Sequence, residues 1–179
     1  SIHGDETSGC DASLALAQRL VAGTDPATLA MLDEVVTVID PVMNPDGRQR
    51  ILTQSQQMSG YTKSLDHSGL LRGRWPRGRG NHYLFDMNRD WFGVTQPETA
   101  ARVAAFLDWW PLVYVDLHEM GGNSTYYFPP PAQPINSEIT AVQRGWLTRY
   151  GKNNAGSRCR PYLPGSLSSR PARWRCHPV

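Results

Sequence analysis

Two short apolar runs, Val35-Val36-Thr37-Val38-Ile39 and Leu112-Val113-Tyr114-Val115-Asp116-Leu117, constrain the fold more than any other feature of the chain. Neither alternates apolar with polar residues, so neither reads as a strand with one wet face. The first is continuous and β-branched and the second is mainly apolar, as in strands covered on both faces of a parallel sheet. Between them, residues 96–109 have helical character, with acids near the start and apolar Val103, Phe106 and Leu107. Helices alternating with buried strands predict an α/β domain with a mainly parallel sheet. Such sheets bind ligands at the carboxyl ends of their strands, and His118 stands at the end of the second run.

The remaining local signals are weaker. Asp11 reads as the N-cap of an amphipathic helix over 12–21 that ends at Gly23. Asp25-Pro26 opens a short helix reaching about residue 32. Asn44-Pro45-Asp46-Gly47 reads as a turn, and 49–80, rich in Gly, Arg and Ser, reads as a long surface excursion. Tyr126-Tyr127-Phe128 reads as a third strand stopped by Pro129-Pro130-Pro131, with Asn136 or Ser137 capping a final helix to about residue 150. Residues 156–179 contain no acid, are dense in Arg, Pro and Ser, and show no period. The chain therefore divides into a domain at 1–155 and a tail at 156–179. The tail reads as poorly ordered or foreign to the domain in preference to a basic arm for nucleic acid.

A length of 179 residues and a net charge of +2 suit one domain and argue against a nucleic-acid partner. No stretch approaches the roughly 20 apolar residues that cross a bilayer. No basic-then-apolar signal segment opens the chain. Ser1 precedes the first candidate ligand by only two residues, so the natural chain is expected to begin further upstream. Any export signal, and with it a secreted or periplasmic location, would lie there. Cys10, Cys159 and Cys176 are odd in number and match no thiolate spacing. Cys10 reads as a small buried residue near a helix start.

The chemistry begins at the other end of the chain from His118. His3 and Glu6 stand at i, i+3 in Ile2-His3-Gly4-Asp5-Glu6, and Asp116-Leu117-His118 closes the second apolar run. Two imidazoles and a carboxylate suit Zn²⁺, and three protein ligands leave one position open, as catalytic zinc sites do. Singly, each residue has an ordinary reading: an exposed terminal histidine, a helix-cap acid, a satisfied histidine at a strand end. Together with Asn44-Pro45-Asp46-Gly47, Gly78-Arg79-Gly80-Asn81 and Asp86-Met87-Asn88-Arg89-Asp90-Trp91, they are far more specific. In that order the motifs resemble the zinc metallocarboxypeptidases of the funnelin type, peptidase family M14, over about residues 1–150.

The resemblance implies a three-layer α/β/α fold with a mainly parallel mixed central sheet, incomplete in this chain. It implies one Zn²⁺ held by His3, Glu6 and His118, with Asp86 taking the second N–H of His3. Asn88 and Arg89 would grip the free C-terminal carboxylate of a substrate, which a planar guanidinium and an amide hold in two-pronged fashion. Arg79 would steady the oxyanion, with Arg72, Arg74 and Arg77 as neighbouring alternatives. The implied activity is removal of C-terminal residues from peptides or proteins by zinc-activated water, with no nucleic acid and no membrane segment.

The family's late general-base glutamate and lid tyrosine have no counterpart here, so the chain reads as a truncated piece of such an enzyme, with an expected loss of activity of about 10² to 10⁴-fold. A zinc amidase or deacylase on the same fold, and a non-catalytic zinc- and peptide-binding module, are the rival readings. Glu119 is set aside as a base because adjacent strand residues point to opposite faces. His67 and His82 read as polar loop residues, Tyr126 and Tyr127 as core. Nothing in the sequence addresses oligomeric state.

Overall fold

The computed structural model describes residues 1–61, 75–120 and 129–158. They form five α-helices, α1 (Ser8–Ala22), α2 (Pro26–Glu34), α3 (Pro45–Met58), α4 (Pro97–Trp109) and α5 (Ala141–Arg158), with a 3-10 turn at Met87–Arg89. The chain divides into two compact units, Ser1–Asn123 and Ser124–Val179. The expected strand at 126–128, His67, Arg72, Arg74, Tyr126, Tyr127, Cys159, Cys176 and the tail from 159 onward lie outside the described residues.

Helix α2 forms as its sequence dictates. Asp25 accepts from the Thr28 backbone N–H at 3.0 Å and from its hydroxyl at 2.6 Å, and Pro26 opens the first turn. Helix α4 likewise follows its period, with Pro97 at its start. Helix α1 differs from expectation: it starts at Ser8, and Asp11 lies inside its first turn. No local side chain caps it. The carboxylate of Glu119 does so from a distance, accepting the Ser8 N–H at 2.6 Å.

The largest correction is α3. The Asn44-Pro45-Asp46-Gly47 signature starts a helix, and the expected excursion from 49 begins inside it. Asn44 accepts the Gly47 N–H at 2.8 Å as N-cap, with Pro45 at the first helical position. Only Gly47 and Ile51 of this helix are buried, so no apolar stripe advertises it. Helix α5 also starts later than expected, at Ala141, and runs past residue 155 to Arg158. Its start is a capping box: Thr140 Oγ1 accepts the Gln143 N–H at 3.2 Å while Gln143 Oε1 accepts the Thr140 N–H at 2.8 Å. Asn136 instead closes a preceding turn by accepting the Glu138 N–H.

No strand ladder is assigned among the described residues. Val35 leaves α2 in an extended conformation, but Val36, Val115 and Leu112 are 73%, 69% and 102% exposed. A ladder needs a neighbour about 4.8 Å away, and burial on both faces needs covering layers.

Among the described residues of the first unit, the buried apolar side chains are Ile2, Cys10, Ile51 and Met87. Ile2 adjoins His3, and Met87 lies between Asp86 and Asn88, so the core sits directly behind the candidate site. Backbone meets backbone here. A β-carbon on Gly4 would fall on Gly47 and Arg48, and one on Gly47 would fall on the Gly78 carbonyl. The loops bearing His3 and Arg79 therefore close on the first turn of α3 only because these positions carry no side chain.

Candidate metal centre

The first residues lie between two distant segments. Ser1 Oγ donates to the Pro41 carbonyl at 3.1 Å and accepts the Met43 N–H at 3.0 Å, while the Ser1 amino group donates to the Leu117 carbonyl at 3.3 Å. This places His3 opposite His118. The Glu6 N–H donates to the His3 carbonyl at 3.0 Å, a turn that brings both side chains to one side. Asn44, fully buried, ties three segments together. Its amide donates to the carbonyls of Ile2 and Arg79, each at 3.1 Å, while its oxygen caps α3.

Glu6 is the hub. Its Oε1 lies 2.8 Å from His3 Nδ1, and its Oε2 lies 2.9 Å from His118 Nδ1. The Glu119 backbone N–H donates to the same Oε2 at 3.0 Å. The two imidazole centroids are 5.0 Å apart, and one ligand atom from each of His3, Glu6 and His118 lies within 4.8 Å of the others. Tetrahedral zinc, with bonds of about 2.0–2.2 Å, holds its donor atoms about 3.3–3.6 Å apart, which falls within that limit. The outward nitrogens are also engaged: His3 Nε2 lies 3.1 Å from Asp86 Oδ1, and His118 Nε2 lies 2.8 Å from Asp116 Oδ2. Two imidazoles facing one carboxylate, each backed by a further carboxylate, fit a zinc ligand set.

Charge follows geometry. Burial disfavours ionised Glu6, but its hydrogen bonds from His3, the Glu119 backbone and His118 outweigh that and hold its carboxyl down at about 2. Burial also disfavours a charged His3, yet the Glu6 hydrogen bond and charge, with Asp86 behind, raise its pKa above the ordinary histidine value. Asp86 is lowered despite its burial, by His3 and by the Arg79 guanidinium.

Arg79 reaches the centre but is held by Asp86. Its Nε donates to Asp86 Oδ2 at 2.9 Å and Nη2 lies 2.8 Å from the same oxygen, while Nη1 is 3.3 Å from His3 Nδ1. The Arg79 loop is clamped from α3 by Arg50, whose guanidinium donates to the carbonyls of Arg77, Gly80 and Asn81. A cleft of about 280 Å³ runs from the Arg79–Asp86 pair between Trp75 and Leu84.

Asp86 also caps the 3-10 turn, accepting the Asn88 N–H at 2.9 Å. That turn presents Asn88 and Arg89. Asn88 Oδ1 accepts the Trp91 indole N–H at 3.1 Å, and its Nδ2 is 3.4 Å from His118 Nε2. Arg89 is exposed, donating only to the neighbouring Asn88 carbonyl at 3.0 Å among the bonds resolved for it. Glu119 points to the start of α1, and His82, exposed, lies 3.9 Å from Asp46.

Among the described residues, His3, Glu6, Arg79, Asp86, Asn88 and His118 are joined by direct contacts, and Arg89 adjoins them through its bond to the Asn88 carbonyl. Four others were given no role by the sequence: Arg50, and three that stand within the quoted motifs, Asn44, Trp91 and Asp116. For Asn44 the available signal was the Asn-Pro pair, which starts helices as well as turns. For Asp116 it was the i, i+2 spacing to His118, which puts both side chains on one side of an extended segment. Arg50 had no signal of its own.

No solved structure matches the chain. Among curated proteins it is 28% identical over 191 residues to carboxypeptidase D from Anas platyrhynchos, an alignment covering 98% of this chain and 13% of that protein. The family model for zinc carboxypeptidases matches residues 1–128, which include His3, Glu6, Asn44, Arg79, Asp86, Asn88, Arg89 and His118. By that match the chain belongs to the zinc carboxypeptidase family, peptidase family M14.

Proposed function

We propose that this chain forms the metal-binding and carboxylate-gripping part of a zinc-dependent metallocarboxypeptidase, on a three-layer α/β/α fold. The observation that carries the reading is the convergence of His3 Nδ1, His118 Nδ1 and both Glu6 oxygens across the length of the first unit. His3, Glu6 and His118 would hold one Zn²⁺. Bound there, zinc supplies a Lewis acid for the scissile carbonyl and a water acidified towards a pKa of about 7. Asp86 keeps the His3 imidazole oriented through Nε2. Asn88 and Arg89 take the terminal carboxylate of a peptide, which sets the cut one residue from the end. Arg79, released from Asp86 by a modest rotation, brings its charge to the developing oxyanion.

The test compares a blocked dipeptide having a free C-terminal carboxylate with its C-terminal amide, alongside zinc titration of the wild type. One zinc per chain and a preference for the free carboxylate of at least tenfold, in binding or turnover, are expected. Equal handling of acid and amide would overturn the clamp. An N-acyl amino acid turned over faster than the dipeptide would move the reading to an amidase or deacylase.

One observation favours a second reading, a zinc- and peptide-binding module without turnover. Glu119, the acid beside His118, is committed to the Ser8 N–H at 2.6 Å and is not placed to take a proton from water. Calorimetric binding of the peptide without hydrolysis at any protein concentration would select that reading.

A further inference from the structure

His118 can act as a ligand through Nδ1 only if its proton sits on Nε2, and three groups bear on that: Asp116 and Asn88 at Nε2, and Glu6, whose Oε2 lies 2.9 Å from Nδ1 and favours a proton there. Asp116 Oδ2 lies 2.8 Å from Nε2, and a carboxylate accepts, so this contact places the proton on Nε2. Asn88 Nδ2 lies 3.4 Å from the same atom, and an amide nitrogen donates, so this contact strips Nε2 and moves the proton to Nδ1. The orientation of the Asn88 amide is not arbitrary. The Trp91 indole N–H can only donate, and it meets Asn88 Oδ1 at 3.1 Å, so the NH₂ side must face His118. Trp91 is in turn held by the Arg102 guanidinium 5.4 Å from its ring centroid and by Tyr114 at 5.8 Å.

We propose that Asp116 is a positioning residue that holds the proton on His118 Nε2 against the opposing pulls of Asn88 and Glu6, so that Nδ1, which meets Glu6 Oε2 at 2.9 Å when no metal is bound, can give up its proton to a metal ion beside Glu6. The shorter contact wins, because a charged acceptor at 2.8 Å outweighs a neutral donor at 3.4 Å. Local structure supports the assignment. Leu117 turns the other way, its β-carbon against Gly9, while Asp116 and His118 share a side. The other Asp116 oxygen, Oδ1, is buried without a hydrogen-bond partner, a costly placement that chain stability does not explain. The two histidines are thereby backed alike, His3 by Asp86 and His118 by Asp116. This inference rests on the ligand set proposed above.

The test uses the whole chain and two readouts. Zinc affinity is measured by competition with a chromogenic chelator, and the His118 tautomer by long-range ¹H–¹⁵N NMR without added metal. Asp116→Ala is expected to bind zinc about 10- to 100-fold more weakly. Its His118 proton should shift toward Nδ1 while His3 is unchanged. Adding Asn88→Ala to that variant removes the competing donor and should recover part of the affinity. Asp116→Asn keeps an acceptor without the charge, holds the original volume, and should lose several-fold; it decides the matter if the alanine variant fails to fold. A variant that folds, binds zinc within twofold of wild type and leaves the His118 proton distributed between Nδ1 and Nε2 as in the wild type overturns the inference. His118→Ala separates the two levels of argument: if it leaves zinc affinity intact, the ligand set itself is wrong.

Discussion

Asn44 offers the sharpest test of how the site is held together. Replacing it with alanine removes the N-cap of α3, worth about 1 kcal/mol. It also leaves the carbonyls of Ile2 and Arg79 without their amide donor, and a buried orphaned group costs about 1–3 kcal/mol. Because the Arg79 bond is only partly buried, the total for Asn44→Ala is expected at about 3 kcal/mol. Asn44→Asp discriminates between the two roles. Aspartate caps helices as well as asparagine does and suits the helix dipole. It has no donor, however, and would set a carboxylate oxygen against two carbonyls that now lie 3.1 Å from the amide. We expect Asn44→Asp to be destabilised as much as the alanine variant. Urea titration at pH 7 followed by far-UV circular dichroism reads this as a shift of midpoint at constant slope. If Asn44→Asp lies within about 0.5 kcal/mol of wild type, Asn44 is only a local cap and the three-segment tie is refuted.

Arg50→Ala should destabilise the chain by about 1–2 kcal/mol, and backbone amide exchange should quicken around Gly78 to Asn81, where its guanidinium clamps carbonyls; unchanged exchange would count against that clamp. Glu6→Gln keeps shape and loses charge at the hub, and chelator competition should show zinc binding weakened more than about 100-fold, beyond the loss expected for an outer partner. Asp90 is lowered to about 2 by the Thr95 hydroxyl, with burial opposing and the Thr95 and Gln96 N–H groups assisting. A depressed folded pKa stabilises above the unfolded value of about 4 and is lost as pH falls through about 2. Asp90→Asn should therefore flatten the pH dependence of stability in that window, and an unaltered acid limb would sink the assignment.

Much of the chemistry was legible because it is local. His3 and Glu6 share one turn, the Asp25 cap sits beside the helix it starts, and the period of α4 is carried by its own apolar residues. The rest was hidden for identifiable reasons. Helix α3 buries only Gly47 and Ile51, so a nearly all-polar face looked like loop. The start of α1 was misplaced because its capping carboxylate, Glu119, comes from 111 residues away. The two apolar runs have strand composition, yet a strand exists only where a neighbour supplies hydrogen bonds, and composition cannot say whether it does.

By itself, then, the sequence determined which groups are present and what they are able to do: two imidazoles and a carboxylate for a metal, an amide and a guanidinium for a terminal carboxylate. Only the tertiary structure decided which atoms face one another. It set Nδ1 of both histidines toward Glu6, gave each outer nitrogen its own aspartate, and let Asn44 join three loops at a point where glycines allow backbones to touch. Apart from His3–Glu6 and Asp116–His118, these pairings join residues 35 to 112 positions apart, and their energy depends on distances of a few ångströms and on burial, quantities that no local pattern in the chain encodes.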